Sequence, residues 1–224
     1  MFTQSERATF ILFVVIIALL LFGTIPGNLH AADSNLVGCW NMDEGAGATV
    51  ADSSGNGNTG SVVGASWTSN GKINSSLDFQ SGNAHIAIPA SSSLDFSGDR
   101  ITIAGWINLS SLTEAYSTVI QRSNAAGTWQ DWQLYAKAAD APTRGRPVFR
   151  FDWDADRRLD SDEQVQADIS LAANTWYFVA CTYDGTAMRI YIDGVLRGTT
   201  NKTGGQIPAS TKPIWIGAND AWGE

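Results

Sequence analysis

The sequence has little cysteine, little histidine and little basic charge. Its 224 residues include two cysteines and two histidines, and only 16% of them are charged. Fourteen lysines and arginines stand against 22 aspartates and glutamates, which gives a net charge of −8. Binding to a phosphate backbone needs a basic surface, so nucleic acid is excluded as a predicted partner. Two cysteines allow one disulfide at most, and a packed apolar core must therefore hold the fold.

A long hydrophobic run is also missing. The longest one covers residues 8–22 and follows Arg7. About 20 apolar residues are needed to cross a bilayer, whereas a shorter run before small residues such as Ala31 and Ala32 is typical of a signal peptide. The sequence predicts that residues 1–32 are a signal peptide, or a membrane anchor if they stay uncleaved. Residues 33–224 are then secreted or held at the cell surface.

Alternating strands and turns make up the rest of the chain. Residues 101–109 and 188–192 place apolar side chains at every second position, which is typical of half-buried strands. Two Asp-Gly turns separate strands over residues 176–183, 188–192 and 195–199. Further short apolar segments lie at residues 36–42, 77–80, 85–88, 118–121, 132–136, 148–153 and 213–217. The sequence predicts one all-β domain, a two-sheet antiparallel sandwich.

Five segments in order carry a resemblance to a known family. They are LVGCWNMDEGAGATVADSSGNGNTG from Leu36, SSLDFQSGNAHIAIP from Ser75, ITIAGWINL from Ile101, NTWYFVACTYDGTAMRIYIDGVLRG from Asn174 and KPIWIGAND from Lys212. They resemble the laminin G-like domains of the concanavalin A-like lectin/glucanase superfamily, of the bacterial jelly-roll type. The resemblance implies a jelly-roll sandwich with a curved face, acting as a binding module of a larger secreted or surface protein. Such domains continue into a further strand with an IDEVR-like core, so the sequence predicts a C-terminally truncated domain that lacks its last strand.

The loop over residues 52–60 has the composition of a cation-binding loop. It combines a carboxylate, two amides and several glycines, and Ca²⁺ takes about six to eight oxygen ligands, many of them backbone carbonyls. The resemblance implies a structural calcium at this loop, with Asp52 as the side-chain ligand and Asn56 and Asn58 contributing. The alternative is a turn that Asx hydrogen bonds hold without a metal.

A second acidic run resembles an EF-hand loop. Carboxylates recur at the ligand positions of that loop, and the run includes Asp152, Asp154, Asp156 and Glu163. Arg157 stands where the loop requires glycine, and the preceding residues predict a strand rather than a helix. The run is therefore a second candidate calcium site, with a solvated acidic loop as the alternative.

Aromatic side chains are the candidate sugar contacts, because the apolar face of a pyranose stacks on an aromatic ring. The candidates are Tyr191, Trp129, Trp132 and Tyr135. Tyr191 lies out of register with its isoleucine neighbours. For both Trp129 and Trp132, sugar contact and core packing are equally favoured interpretations. Four other tryptophans lie in strand motifs and are predicted to be core: Trp40, Trp106, Trp176 and Trp215.

The two cysteines leave two alternatives open. Cys39 and Cys181 lie on different predicted strands, and export would permit oxidation. They form either one disulfide or two buried free thiols. In the related pentraxins, the cysteine that resembles Cys181 pairs with a strand that here has Ala104, which favours free thiols.

A catalytic function has the least support. Glucanases with the resembling fold place their carboxylates in an E-x-D-x-x-E pattern on one strand, and this sequence does not contain it. His85 is the only histidine outside residues 1–32. The sequence therefore predicts an exported, non-catalytic module that binds carbohydrate or a surface glycan with the help of Ca²⁺. An adhesive domain that contacts other proteins or other domains of a larger protein is the alternative, and a glycan-active hydrolase comes third.

Overall fold

A computed structural model describes residues 35–80, 84–95, 98–112, 116–123, 130–137, 143–152, 163–207 and 209–217. The predicted signal peptide, Trp129, Asp154, Asp156 and the predicted truncation at Glu224 lie outside this range. The strands are β1 Thr49–Val50, β2 Gly60–Val63, β3 Ser66–Thr68, β4 Ser76–Asp78, β5 His85–Ile88, β6 Ile101–Asn108, β7 Tyr116–Ser123, β8 Gln130–Lys137, β9 Arg146–Phe151, β10 Gln164–Gln166, β11 Trp176–Tyr183, β12 Ala187–Ile192, β13 Val195–Asn201 and β14 Ile214–Ile216. Among the described residues there is no helix with the length and apolarity of a bilayer span.

The strands form two main sheets and one hairpin. The large sheet has eight strands in the order β1-β2-β5-β14-β7-β8-β9-β10, and the small sheet has four in the order β13-β12-β11-β6. Strands β3 and β4 form a separate two-stranded sheet. Every pairing is antiparallel. The predicted all-β sandwich is confirmed.

The core lies between the two main sheets. Alternate residues of each long strand are buried there, such as Ile101, Ile103 and Ile107 of β6. Across the interface, the Phe151 ring of the large sheet lies 6.0 Å from the Tyr183 ring of the small sheet, centroid to centroid. Burying every second side chain explains why the two-residue period predicted the strands.

The predicted meander of three strands is confirmed in the small sheet. Strands β11, β12 and β13 pair in sequence, and the second turn has Asp193 and Gly194 at φ values of 50° and 79°. The Phe178 N–H donates to the Asp193 carboxylate at 2.9 Å. Both central residues have positive φ, which is the geometry that matches the twist of the strands.

Several sequence predictions about the fold are wrong. Residues 36–42 form no strand beyond one bridge from Trp40 to Asp52. A side chain at Gly38 would meet the Trp40 ring at 2.3 Å, so this segment is shaped around the buried indole. Of the four tryptophans predicted as core, only Trp40 is buried, whereas Trp106, Trp176 and Trp215 are half-buried.

Both cysteines are free thiols, so the disulfide alternative is wrong. Cys181 faces the core from β11, and burial raises the pKa of its thiol well above the usual value. Cys39 lies beside the loop of Asp52, where its Sγ donates to Asn41 Oδ1 at 3.6 Å. Burial, and then the charge of Asp52, raise the pKa of Cys39 to about 11. Both thiols are therefore protonated and unreactive at neutral pH.

Candidate functional site

The outer face of the large sheet carries a row of side chains that crosses six neighbouring strands. Strand register places these residues side by side from β5 to β10. Each has a core residue next to it in its strand, so alternation sends the row itself to the opposite face. We call this set the central row: Ala87, Trp215, Gln121, Gln133, Arg150 and Gln164.

Two glutamines form the deepest part of the central row. Gln121 is 0% exposed and Gln133 is 2% exposed, whereas Trp215, Arg150 and Gln164 are half-buried. The Gln133 side-chain amide donates to Gln121 Oε1 at 3.2 Å and to Thr118 Oγ1 at 2.9 Å. The amide groups are therefore held in fixed orientations before any ligand arrives.

An aromatic pair lies at one end of the central row. The Trp215 indole stacks on the His85 imidazole with 4.0 Å between ring centroids and an interplanar angle of 12°. The Trp215 Nε1–H is buried and has no hydrogen-bond partner. A buried donor without an acceptor costs about 1–3 kcal/mol, so this N–H is a candidate ligand contact.

The predicted sugar-contact residues reach different parts of the molecule. Tyr135 lies on the same face as the central row and is buried, with the Arg150 guanidinium 5.3 Å from its ring centroid. Trp132 points the other way, into the core, and is 1% exposed. Of the two interpretations of Trp132, packing is confirmed and sugar contact is wrong, because β8 buries its even-numbered residues in the core.

Tyr191 lies on a separate surface, the outer face of the small sheet. It pairs in register with Ala180 and is half-buried. On the same face, the Trp106 and Phe178 rings make an edge contact at 5.5 Å, and the Lys72 ammonium lies 4.6 Å from the Trp106 ring. Tyr191 and Tyr135 are thus on opposite outer faces of the sandwich and cannot belong to one site.

A buried carboxyl group lies at the end of β8 beside the central row. Asp131 is 3% exposed, and Asp152 follows β9 directly opposite it, with the Asp152 N–H donating to the Asp131 carbonyl at 3.1 Å. Burial raises the pKa of the Asp131 carboxyl to about 7, while a hydrogen bond from Ser210 and the charge of Arg122 oppose the rise. The charge of Asp152 adds to it.

This pKa predicts a pH dependence of stability. Between pH 4 and 7 the native state keeps a proton on Asp131 that the unfolded state has lost, so stability falls as the pH rises through this range. We expect the free energy of unfolding to drop by about 2 kcal/mol more between pH 5 and 8 in the natural chain than in Asp131→Asn. Urea unfolding of both proteins at the two pH values measures the difference. An equal drop in the free energy of unfolding in both proteins would contradict the raised pKa of Asp131.

The loop of Asp52 is closed by hydrogen bonds to its carboxylate. Oδ1 accepts the N–H groups of Cys39 and Ser54 at 3.0 and 2.9 Å, and Oδ2 accepts the N–H of Asn58 at 2.9 Å and the Ser54 hydroxyl at 2.8 Å. Both oxygens therefore face N–H and O–H donors, which a cation would have to displace. This arrangement is the Asx-stabilised turn that the sequence offered as the alternative to calcium.

The two asparagines of the loop are engaged in the same way. The Asn56 amide donates to the carbonyl of Leu36 at 3.0 Å, and the Asn58 amide donates to the carbonyl of Val37 at 2.8 Å. Asn58 Oδ1 accepts the hydroxyls of Ser91 and Ser93. As arranged, the loop does not fit a calcium ion, because the side-chain oxygens of Asp52 and Asn58 already accept protein hydrogen bonds. The backbone carbonyls of Leu36 and Val37 accept from the two asparagine amides.

The second acidic run lies between two strands, not between helices. Asp152 and Glu163 are both buried at the base of the β9–β10 connection, where the Phe151 N–H donates to the Glu163 carbonyl at 2.9 Å. The helices that flank an EF-hand loop are replaced by β9 and β10. Within the described ranges, no three His, Cys, Asp or Glu side chains come together as a possible metal-binding group.

Two solved structures with TM-scores of 0.55 agree with this architecture. Domain 4 of AbnA, an extracellular arabinanase from Geobacillus stearothermophilus, solved in complex with arabinotriose, is 16% identical with a TM-score of 0.55, covering 75% of this chain and 78% of that one. A crystal structure of the HCR/D protein with a tryptophan-to-alanine substitution is 15% identical with a TM-score of 0.55, covering 76% of this chain and 42% of that one. A heptameric SAP-like pentraxin from Limulus polyphemus is 16% identical with a TM-score of 0.40, over 59% and 62% of the two chains. No curated protein sequence matches significantly.

The family is established by the sequence. Residues 80–224 match the laminin G family described as the concanavalin A-like lectin/glucanases superfamily. This range includes every strand of the central row, from β5 to β14. The resemblance found in the sequence motifs is thereby confirmed. The chain belongs to the concanavalin A-like lectin/glucanases superfamily as a laminin G-like domain.

Proposed function

We propose that this chain is an exported, non-catalytic carbohydrate-binding module and that the central row is its sugar site. The observation that carries the proposal is the Trp215 indole, which lies half-buried beside fixed glutamine amides and has a buried Nε1–H without an acceptor. The similar fold of the AbnA domain, which was solved with arabinotriose, supports a glycan as the ligand. Export rests on the predicted signal peptide of residues 1–32.

The chemistry of the central row suits a sugar. The apolar face of a pyranose or furanose ring packs on an indole, and amide and guanidinium groups bind its hydroxyls. Trp215 supplies the ring, with His85 supporting it from behind. Gln121 and Gln133 are buried beneath this surface and form its fixed polar floor, and Arg150 supplies donors toward the far end. Bound calcium has no part in this proposal, because Asp52 and its neighbours do not fit the ion.

Loss of the indole is expected to weaken glycan binding. Affinity electrophoresis of the full-length chain in gels containing arabinan, xylan, mixed-linkage β-glucan or polygalacturonate identifies a retarding polymer. Trp215→Ala should then weaken retardation by about tenfold or more. Trp215→Phe keeps a ring but lacks the N–H, so its retardation should lie between that of Trp215→Ala and that of the natural chain. Chemical unfolding checks that neither change acts through stability.

Tyr191→Ala is the matched control, because it removes an aromatic ring from the opposite sheet. The proposal expects this variant to bind as well as the natural chain. Loss of binding in Tyr191→Ala with none in Trp215→Ala would instead place the site on the small sheet. Failure of every polymer to retard the natural chain would refute carbohydrate binding and favour the adhesive alternative.

A second candidate function, glycan hydrolysis, is favoured by one observation. Asp131 and Asp152 are adjacent across β8 and β9, and the pKa of Asp131 is raised to about 7. A protonated acid near an ionised carboxylate is the pairing that glycosidases use. Release of reducing ends from the retarding polymer, abolished by Asp131→Asn, would establish hydrolysis. No release from any polymer would leave binding as the function.

A further inference from the structure

The β9–β10 end of the large sheet gathers hydrogen-bond donors on its outer face. Phe149 and Phe151 of β9 and Val165 of β10 point into the core, so the residues between them share the opposite face. These residues include Arg146, Arg150, Gln164 and Gln166, all half-buried. A strongly acidic chain thus presents two guanidinium groups and two amides at one end of the central row.

Two of these donors lack an acceptor. Arg146 Nε and Gln166 Nε2 are buried atoms without a hydrogen-bond partner. Asp168, which follows β10 across from Arg146, is exposed, and none of the ion pairs between described residues joins these two. Each unpaired buried donor is costly, and an incoming oxygen anion would satisfy both.

The register brings the donors within reach of one small group. Gln166 pairs with Val148, which separates Arg146 from Arg150 along β9, so Gln166 is a diagonal neighbour of both arginines. Diagonal neighbours lie about 7–8 Å apart, within the span of long side chains. Arg150 also lies over the Tyr135 ring, which limits the positions its guanidinium can take.

We propose that Arg146, Arg150 and Gln166 form a subsite for an anionic substituent, a carboxylate or a sulfate, on the glycan held by the central row. This inference rests on the proposed function and narrows it to acidic glycans. Guanidinium groups bind carboxylates and sulfates through paired N–H donors, and these charge-assisted hydrogen bonds are stronger than neutral ones. Trp215 then binds the sugar ring at one end, and the subsite binds the charge at the other.

The test compares polymers that differ in charge. Affinity electrophoresis of the full-length chain uses a neutral arabinan, a polygalacturonate and a sulfated galactan at two salt concentrations. We expect preference for an acidic polymer, weakening with salt, and a loss of about tenfold or more in Arg146→Gln. Arg144→Gln is the matched control, because Arg144 is exposed, lies two residues away and removes the same charge. Retention of the polygalacturonate alone identifies a carboxylate, and retention of the sulfated galactan alone identifies a sulfate.

The outcomes separate this inference from the proposed function. Equal binding of neutral and acidic polymers, unchanged by Arg146→Gln but lost in Trp215→Ala, would overturn the anionic subsite and leave the sugar site in place. Loss of acidic-polymer binding in Arg146→Gln with no loss in Trp215→Ala would support the subsite and overturn the role of the central row. Equal losses of acidic-polymer binding in Arg146→Gln and Arg144→Gln would show that only the net charge matters. That result would overturn the subsite.

Discussion

Replacing Arg122 by methionine is expected to lower the free energy of unfolding by about 3–5 kcal/mol. Arg122 is 1% exposed, and its guanidinium donates to three backbone carbonyls: those of Leu94, Ser210 and Lys212. It therefore ties β7 to the short turn before β6 and to the segment before β14. Burial lowers the pKa of Arg122, and the charges of Asp131 and Asp95 oppose this. Methionine fills similar volume but leaves three carbonyls without donors and Asp131 without its cation.

Chemical unfolding monitored by tryptophan fluorescence measures this effect. The matched control is Arg100→Met, because Arg100 and its ion-pair partner Asp99, at 3.7 Å, are both exposed; it should change stability by less than about 0.5 kcal/mol. The loss of stability in Arg122→Lys should lie between those of Arg122→Met and Arg100→Met, because an ammonium keeps the charge but lacks the several planar N–H donors of a guanidinium. A change below about 1 kcal/mol in Arg122→Met would contradict the role assigned to this arginine.

Replacing Asp52 by alanine is expected to cost about 2–4 kcal/mol, with or without calcium. The Asp52 carboxylate accepts four hydrogen bonds, including one from Cys39 across thirteen residues of chain. Three of these donors are backbone N–H groups, which lose their acceptor in the variant. The loop then loosens around the buried Trp40, whose Nε1–H donates to the Asn58 carbonyl at 2.7 Å.

Thermal and chemical unfolding in EGTA and in millimolar calcium test this prediction. The stability of the natural chain should be the same in both, because both oxygens of the Asp52 carboxylate already have protein donors. Asp43→Ala is the control: Asp43 is exposed, and its side chain accepts the exposed Asn74 amide at 3.3 Å. A natural chain that EGTA destabilises, with Asp52→Ala insensitive to EGTA, would restore the calcium site predicted from the sequence.

Local alternation was enough to predict the long strands. Strand β11 spans Trp176–Tyr183 as expected, and β6 ends one residue before the predicted limit. In both strands the apolar side chains that face the core stand at every second position, which the sequence displays directly. Strands β1, β2, β3 and β10, of two to four residues, were missed. Strands β4, β5 and β14 are about as short, but they lie in apolar segments that the sequence displays.

The sugar site was harder to predict than the strands, although the alternation around Trp215 was visible in the sequence. Trp215 lies between Ile214 and Ile216, and both isoleucines are in the core, so alternation alone would have sent the indole outward. The same rule sends Trp132 inward beside Leu134. Gln121, Gln133 and Arg150 come from strands that only the sheet order makes neighbours, and a single sequence does not reveal that order.

Contacts between distant residues explain the remaining differences. Arg122 binds carbonyls about 90 residues later in the chain, and Asn58 binds serines more than 30 residues away. The composition of the loop at Asp52 suits both a cation and a hydrogen-bonded turn. Only the positions of its donors, three of which are backbone N–H groups, distinguish the two.

The most direct test of the sugar site is a crystal structure of the full-length chain with an acidic oligosaccharide from the polymer that it retains. We expect one sugar ring stacked on Trp215 and a carboxylate or sulfate between Arg146 and Gln166. Electron density for the oligosaccharide on the small sheet, over Trp106 and Tyr191, would contradict it.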